Sequence, residues 1–289
     1  HHTNAIRGAV DHFHDVSELK DRDMEALLLS HQLDVLVELA GHTSFNRLGM
    51  LAKRVARLQI NGLGYPPTTG LRSMDGKIMD ATICPEEVSA YYTERPLRLP
   101  SSLWCFDPKE DIPVRLEQPA DRNGYITFAC MGNLAKINQR TLACWVKILN
   151  RVPASRLVVR AFNFQDPAAL SLSRDEFKAA GLPMDRVDLL NPVAVAELYD
   201  SYASVDIVLD TFPFNGGTTS CFATYMGVPV VSRYGKSLIS RVGLSILTNL
   251  QLAHLAVPDD DAYVETAIAL AGDLTQLRAI RARSRGLFK

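Results

Sequence analysis

Short apolar runs alternate with segments of helical spacing in the second half of this chain. The apolar residues of the helical segments recur with the 3.6-residue period of an amphipathic helix, and the short runs are rich in β-branched residues. The predicted strands are residues 126–131, 156–161, 186–190, 206–210 and 228–232. The predicted helices are residues 138–150, 173–180, 195–203 and 218–226. Strands that are apolar throughout are typical of a parallel sheet covered on both faces, so the pattern predicts a Rossmann-like α/β fold.

The first half shows a thinner version of the same alternation. Its predicted helices are residues 23–31 and 44–54, and its predicted strands are residues 33–39, 57–62, 77–83 and 95–100. A doubly wound domain normally opens with a strand and a ligand loop, which this half lacks. We therefore expect an incomplete Rossmann-like half.

The polar, proline-containing segment 107–124 is the predicted linker. It divides the chain into an N-terminal half, residues 1–115, and a C-terminal half, residues 116–289. The tail after about residue 260 predicts two more helices. The chain begins with histidine instead of methionine, so we expect it to be part of a longer protein.

Composition narrows the function classes. The 289 residues suffice for two domains, and 31 basic against 32 acidic residues give no field for attracting nucleic acid or an anionic membrane. Five dispersed cysteines without a CxxC pair indicate reduced thiols in a cytoplasmic protein and no metal site. No apolar run approaches the roughly 20 residues of a membrane helix, and no signal peptide is recognisable.

A glycine-rich loop, NGGTTS at residues 215–220, lies between a predicted strand and a predicted helix. Doubly wound sheets bind ligands at such corners. Gly216 and Gly217 allow positive φ and close approach of the backbone to a ligand. Thr218 and Thr219 can cap the helix and offer hydroxyls and first-turn amides to an anion. The loop is a candidate phosphate site, although a tight turn with a capped helix explains the same residues. It matches neither a Walker loop nor a GxGxxG motif.

A second loop of matching placement is CMGNLAKINQR, residues 130–140. The Lys136 ammonium is a candidate for contacting a diphosphate, and Asn133 is a candidate for hydrogen bonding a phosphate or sugar oxygen. A single lysine in such a turn is usually solvated. The interpretation of this loop as a phosphate site is therefore supported mainly by the matching position of the glycine-rich loop. Arg241 opens a further predicted helix within KSLISRVGLSIL, and it either cooperates with the anion loop or forms a surface salt bridge.

Two loops of the first half, AGHTSFNR at 40–47 and NGLGYPPTTG at 61–70, combine glycine, threonine and an aromatic residue. This composition suits a polyhydroxyl ligand, although prolines and glycines also shape ordinary turns. His42 is a candidate general base near neutral pH. A histidine that donates to a backbone carbonyl is the commoner situation.

Several segments occur in the order in which one family carries them: LDVLVELAGHT, INGLGYPPTTG, GNLAKI, RVDLL, VDIVLDTFPFNGGTTS, YMGVPVV and SRVGLSIL. From about residue 10 to its end, the chain resembles the catalytic region of the O-GlcNAc transferase and SPINDLY family, glycosyltransferase family 41, in a bacterial-type version. The resemblance implies two Rossmann-like domains of the GT-B type, with the nucleotide sugar bound mostly by the C-terminal half. Members transfer a sugar to protein hydroxyls with UDP-GlcNAc or GDP-fucose as donor, and one related branch glucosylates asparagine.

The resemblance also implies roles for individual residues. It assigns the diphosphate to Lys136 and to the pair Thr218 and Thr219, with Asn133 beside them. The lysine then helps the nucleotide leave without a metal ion or another cofactor, because cationic and amide donors stabilise the growing charge. The acceptor is expected in the N-terminal half.

On that acceptor side, the resemblance implies Gly64, Tyr65 and His42. Three features depart from the family. Its early histidine-bearing loop would precede residue 1, Leu198 occupies the position of the base-stacking histidine, and Phe222 stands where relatives carry an acidic residue for the ribose. Tetratricopeptide repeats, which recruit protein acceptors, are expected in a longer parent chain.

The resulting prediction is a glycosyltransferase that moves GlcNAc from UDP-GlcNAc to protein serine or threonine, without metal and with inversion. Its partners are a nucleotide sugar and a protein acceptor. A non-catalytic sugar-nucleotide-binding or interaction module derived from the family is the alternative, and a nucleotide-sugar epimerase is a third possibility. The transferase requires that Lys136 and the threonine pair converge on one site.

Overall fold

The computed structural model describes residues 2–108, 112 and 114–288; residues 109–111 and 113 of the predicted linker lie outside this range. The described residues form two sheets with helices packed around them. The helices are α1 His2–Ala9, α2 Asp21–Ser30, α3 Leu48–Leu51, α4 Pro119–Asn123, α5 Gln139–Arg151, α6 Pro167–Ala179, α7 Val195–Tyr202, α8 Thr218–Tyr225, α9 Val242–Asn249, α10 Asp260–Ala271 and α11 Leu274–Arg283. The strands are β1 Val35–Glu38, β2 Leu58–Asn61, β3 Gly76–Asp80, β4 Arg95–Leu99, β5 Thr127–Met131, β6 Arg156–Arg160, β7 Val187–Leu190, β8 Ile207–Leu209, β9 Val230–Arg233 and β10 Ala256–Val257.

The larger sheet has six parallel strands in the order β10-β9-β8-β5-β6-β7. Read from β7, this is the order 3-2-1-4-5-6 of a doubly wound Rossmann sheet. The winding direction changes between β5 and β8, so the crevice at their carboxyl ends is the expected ligand position. The predicted parallel α/β fold is confirmed.

Apolar burial on both faces holds this sheet together. Every residue of β5 and β8 is buried. Helix α5 turns a fully buried face that includes Leu142, Trp145 and Ile148 toward the sheet, and the Trp145 ring packs edge-on against Phe177 of α6. Each such side chain contributes about 1.5–3 kcal/mol on burial.

The smaller sheet has the order β1-β2-β3-β4, with β1 parallel to β2 and β2 parallel to β3. On one face, Leu36 of β1 and Met24 and Leu28 of α2 pack against a cluster formed by Met50 and Leu51 of α3 and by Val55. On the opposite face, Val35 and Val37 of β1 and the following Leu39 are about half exposed. Strand β1 also forms the edge of this sheet.

The chain divides into two compact units. Unit 1 consists of His1–Ile78 and Ser89–Leu97, and unit 2 consists of Met79–Val88 and Arg98–Lys289. The larger sheet lies in unit 2. The boundary between residues 115 and 116 inferred from the sequence remains a prediction.

Three local expectations differ from the structure. The predicted helix 44–54 shrinks to α3, because Phe45 adopts a positive φ and the Asn46 side chain accepts from the Leu48 amide. The helix expected at 173–180 begins at Pro167, behind an Asp166 cap. The linker segment contains α4, and its Gln118 is buried and donates to Asp206.

Candidate functional site

A cavity of about 270 Å³ lies in unit 2 at the carboxyl ends of β5 and β8. It sits at the point where the winding of the sheet reverses. Six predicted site residues meet there, contributed by the two loops that follow β5 and β8. The lining residues are Cys130, Met131, Gly132, Asn133, Lys136, Val208, Leu209, Asp210, Thr211, Gly216, Gly217, Thr218, Thr219 and Ser220.

Lys136 links the two loops. Its Nζ donates to the carbonyl oxygen of Asn215 at 2.9 Å and lies 3.8 Å from the centre of the Phe214 ring. Burial lowers the pKa of this ammonium, and the nearby Asp210 carboxylate opposes that shift. The cation is therefore placed beside the glycine-rich loop, held by a neutral acceptor that an anion can replace.

The two glycines are needed for space. Neither has a positive φ, which corrects the expectation that they supply that conformation. A Cβ on Gly216 would lie 2.4 Å from the Ser220 hydroxyl oxygen, and a Cβ on Gly217 would lie 2.6 Å from Cη2 of Trp104. The loop can therefore follow this path only where side chains are absent.

The threonine pair opens helix α8 without capping it. Gly217 is the cap residue, and neither threonine hydroxyl makes a capping bond, which corrects the predicted cap. Across the described ranges, the backbone N–H groups of Thr218 and Thr219 have no hydrogen-bond acceptor. Unused amides at a helix N-terminus attract anions.

Asp210 is a cavity residue that the sequence reasoning missed. It follows β8, is only 4% exposed, and accepts from the Gly216 amide and from the Ser232 hydroxyl, both at 2.6 Å. Burial raises the pKa of this carboxyl to about 6, although both hydrogen bonds favour its charged form. In the sequence, the only indication of a role for Asp210 was its position at the end of an apolar predicted strand.

Asn215 supports the loop from beneath. Its fully buried side chain donates to the carbonyls of Thr211 and Arg233 and accepts from the Gly243 amide. The peptide bond between Phe212 and Pro213 is cis. These contacts fix the backbone between β8 and α8.

The other two predicted nucleotide-binding residues, Asn133 and Arg241, form hydrogen bonds within the protein. Asn133 lines the cavity, but its side chain accepts from the Ala135 amide and so shapes the turn. Arg241 does not line the cavity; its guanidinium donates to the carbonyls of Thr82 and Gly235. These bonds give Arg241 a structural environment, and its ligand role remains a prediction.

Phe222, at the position expected for a ribose contact, packs edge-on against Phe106 and Tyr199. Leu198 is half-buried on α7. No polar ribose or base contact is available from these two side chains. The ring neighbours of Phe222 are aromatic.

The predicted acceptor-side residues cluster in unit 1. The Nε2 atom of His42 lies 2.9 Å from the Thr69 carbonyl oxygen, and its ring meets the Tyr65 ring edge-on at 5.4 Å. A Cβ on Gly64 would lie 2.1 Å from the Leu39 carbonyl oxygen, so glycine is required there. His42 thus makes the contact with a backbone carbonyl that was the commoner alternative to a role as general base. Its catalytic role remains a prediction.

A buried lysine supports these acceptor-side loops. Lys77 donates to the Tyr65 carbonyl at 2.7 Å and to the Asn61 side chain. Asn61 in turn donates to Glu38, and burial lowers the pKa of Lys77 to about 8 although Glu94 and Glu38 oppose the shift. No periodic pattern along the chain indicates this network.

The described residues offer neither a metal-binding cluster nor a membrane-spanning helix. They contain no group of three or more histidine, cysteine, aspartate or glutamate side chains placed to hold a metal ion. No helix in the ranges given above is long and apolar enough to cross a membrane.

Comparisons with known proteins agree with this geometry. The profile of glycosyl transferase family 41 matches residues 2–120 and 114–287. A relative from Oryza sativa subsp. japonica, named a probable UDP-N-acetylglucosamine–peptide N-acetylglucosaminyltransferase, SPINDLY, is 38% identical over 94% of this chain and 30% of its own length. The probable N-acetylglucosaminyltransferase SEC of Arabidopsis thaliana is 27% identical over 95% of this chain and 29% of its own. The chain thus spans about 30% of these relatives.

Two solved structures have a fold similar to that of this chain. A mutant O-GlcNAc transferase of Thermobaculum terrenum superposes with a TM-score of 0.91 at 32% identity, over 98% of this chain and 54% of that one. Sucrose-phosphate synthase from Thermosynechococcus elongatus, at 11% identity and a TM-score of 0.59, shares the fold alone. The resemblance inferred from the ordered motifs is confirmed: the chain has the GT-B fold and belongs to glycosyltransferase family 41.

Proposed function

We propose that this chain is the catalytic region of a protein O-glycosyltransferase that uses UDP-GlcNAc as donor and acts on serine or threonine hydroxyls. The observation that carries the proposal is the shared cavity of Lys136, Thr218 and Thr219. An ammonium and a helix N-terminus on one small cavity suit a diphosphate. The relatives' names supply the donor and the peptide acceptor.

In the proposed reaction, the diphosphate displaces the Asn215 carbonyl from the Lys136 ammonium. The acceptor oxygen attacks the anomeric carbon while the bond from that carbon to the diphosphate breaks, and the hydroxyl proton passes to a base. Lys136 and the amides of Thr218 and Thr219 stabilise the charge that grows on the leaving diphosphate. Direct attack inverts the anomeric centre, and these donors perform the role that a metal ion would otherwise have.

The N-terminal unit supplies the acceptor side of the proposal. His42, Gly64 and Tyr65 lie together there, and tetratricopeptide repeats in a longer parent would recruit the protein acceptor. We place the reaction in the cytoplasm, because no disulfide joins the five cysteines, all of which lie in the described ranges.

A lysine substitution tests the proposal. Lys136→Met removes the charge at similar volume, so transfer from UDP-GlcNAc to a peptide should fall at least about 100-fold, the scale of one lost transition-state donor. The matched control is Lys147→Met on α5, whose surface ion pair with Asp261 should contribute little. Equal transfer by wild type and Lys136→Met would refute the assignment.

A non-catalytic sugar-nucleotide module is the second candidate, favoured by the nonpolar side chains of Leu198 and Phe222 at the positions expected for the base and ribose contacts. It predicts that UDP-GlcNAc binding depends on Lys136 while neither the chain nor a longer parent transfers sugar. Transfer by either one excludes it.

A further inference from the structure

Asp210 presents a contradiction in the proposed mechanism. Its side chain is buried and lines the cavity assigned to a diphosphate. Like charges at close range in a buried site repel strongly. An anion site that contains a carboxylate must therefore neutralise that group or weaken its charge.

The surroundings of Asp210 show how its charge is now balanced. The facing groups come from five places: Lys136 and Cys130 from β5 and its turn, Ser232 from β9, the Gly216 amide, Gly243 of α9 and Tyr263 of α10. Tyr263 donates to the Asp210 backbone carbonyl, not to the carboxyl. Lys136 is the cation of this set, and it is the group that the diphosphate would engage.

We propose that Asp210 is a positioning residue that holds Gly216 in the phosphate loop, and that it takes up one proton from solvent when the diphosphate of a nucleotide sugar binds. The proposal rests on the proposed function, since it concerns the same cavity. Binding adds negative charge beside the Asp210 carboxyl. It also engages the Lys136 ammonium, whose positive charge otherwise stabilises the carboxylate. Both changes favour the neutral acid.

The hydrogen bonds allow this protonation without moving the loop. Oδ1 can continue to accept from the Gly216 amide, while the new proton on Oδ2 is donated to Ser232, whose hydroxyl is able to reverse from donor to acceptor. Burial has already raised the pKa of Asp210 to about 6, and the added charge of the diphosphate must raise it further, past the working pH, for the acid to stay protonated in the complex.

The sign of the pH effect follows. The pKa of Asp210 is higher with ligand bound than without it, so affinity is constant below the free value near 6. Above that pH, affinity falls by up to about tenfold per pH unit until the pKa of the complex is reached. At pH 7.5, proton uptake should approach one per bound ligand.

Calorimetry with UDP-GlcNAc measures this uptake. Its diphosphate has no terminal phosphate that titrates near neutral pH, unlike UDP. The binding enthalpies measured at pH 7.5 in HEPES and in Tris differ by the difference between the two buffer ionisation enthalpies, multiplied by the number of protons taken up. The expected result is close to one proton for the wild-type chain.

Two variants locate the proton. Asp210→Asn imitates the neutral acid, so it should bind at pH 8 at least as tightly as wild type, with no uptake. Ser232→Ala keeps the carboxyl but removes one donor to its charged form, so its affinity should begin to fall at a higher pH than in wild type. This variant keeps the test valid if Asp210→Asn does not fold.

Three results would overturn the inference. Wild-type binding without uptake contradicts it directly. Uptake that persists in Asp210→Asn assigns the proton to another group, with Lys136 as the first candidate. Absence of UDP-GlcNAc binding overturns the proposed function together with this inference, whereas the first two results leave the proposed function standing.

Discussion

Gly217 illustrates how one hydrogen atom in place of a side chain shapes the cavity. The absence of a Cβ leaves room for the Trp104 ring, because a Cβ on Gly217 would lie only 2.6 Å from Cη2 of that ring. Gly217→Ala should therefore displace the loop and weaken UDP-GlcNAc binding by about tenfold or more, since overpacking typically costs about 1–3 kcal/mol. Calorimetric titration measures the loss.

Gly132 provides the matched control for that substitution. It lines the same cavity, but a Cβ there would meet nothing within 4 Å, so Gly132→Ala should bind normally. Shortening the neighbour, as in Trp104→Leu, should restore part of the affinity of Gly217→Ala. Equal losses in the two alanine variants would show that chain flexibility, not space, is required.

Lys77 predicts a pH dependence of stability. Its folded pKa of about 8 lies below the ordinary value of 10.5. Between these values the unfolded chain holds a proton that the folded chain has released, so the free energy of unfolding rises with pH. The rise is at most about 3 kcal/mol between pH 8 and 10.5, and below pH 8 this contribution is constant.

Urea denaturation of wild type and Lys77→Met across that pH range isolates the effect. The stability difference should change in favour of wild type as pH rises from 8 to 10.5. Lys53→Met, at an exposed lysine paired with Glu25, should follow the wild-type curve. A constant difference between wild type and Lys77→Met would contradict the burial argument.

At the scale of an element, helix α5 depends on Asn138 in two ways. The side chain accepts from the amides of Arg140 and Thr141 and donates to the Phe212 carbonyl next to the glycine-rich loop. Asn138→Ala should therefore lower the free energy of unfolding by about 2–3 kcal/mol. The control is Asp166→Ala, which removes only a cap bond to Ala168 and should cost about 1 kcal/mol. Equal costs by urea denaturation would mean that the Phe212 bond contributes nothing.

Element boundaries show what local sequence could and could not predict. The strands of the larger sheet were predictable, because burial on both faces leaves apolar runs such as residues 127–131. The start of α6 carried a readable signal in Asp166 and Pro167. The N-cap of α8 had no such signal in the sequence. The neighbouring threonines are also common N-cap residues, but Gly217 occupies that position in the structure.

At the scale of the whole molecule, the apolar face and open edge of β1 predict self-association of the isolated chain. Val35 and Val37 of the edge strand β1 and the following Leu39 are exposed apolar residues at alternate positions of the chain. Val37→Lys should reduce concentration-dependent association in sedimentation velocity. Leu172→Lys, which alters a more exposed but separate residue on α6, should not. Similar behaviour of the two variants would argue against this face as the cause.

The site as a whole could be predicted only in part. Lys136 and the threonine pair were identifiable because each follows a strand, and ligands bind at those corners. Asp210, Trp104 and Ser232 were not, because their roles depend on which strands and loops become neighbours. Strand order and close packing arise from the complete fold, and a one-dimensional pattern contains neither.

The bond from Lys136 to the Asn215 carbonyl joins loops that are 79 residues apart. Between them the chain builds β6 and β7 and returns to place β8 beside β5. A nascent chain that has emerged only as far as β7 therefore holds half of the proposed site, and under that proposal it gains nothing from a nucleotide sugar. Only after the return crossing can the donor act as a folding ligand, so it would stabilise the middle of the sheet selectively against protease.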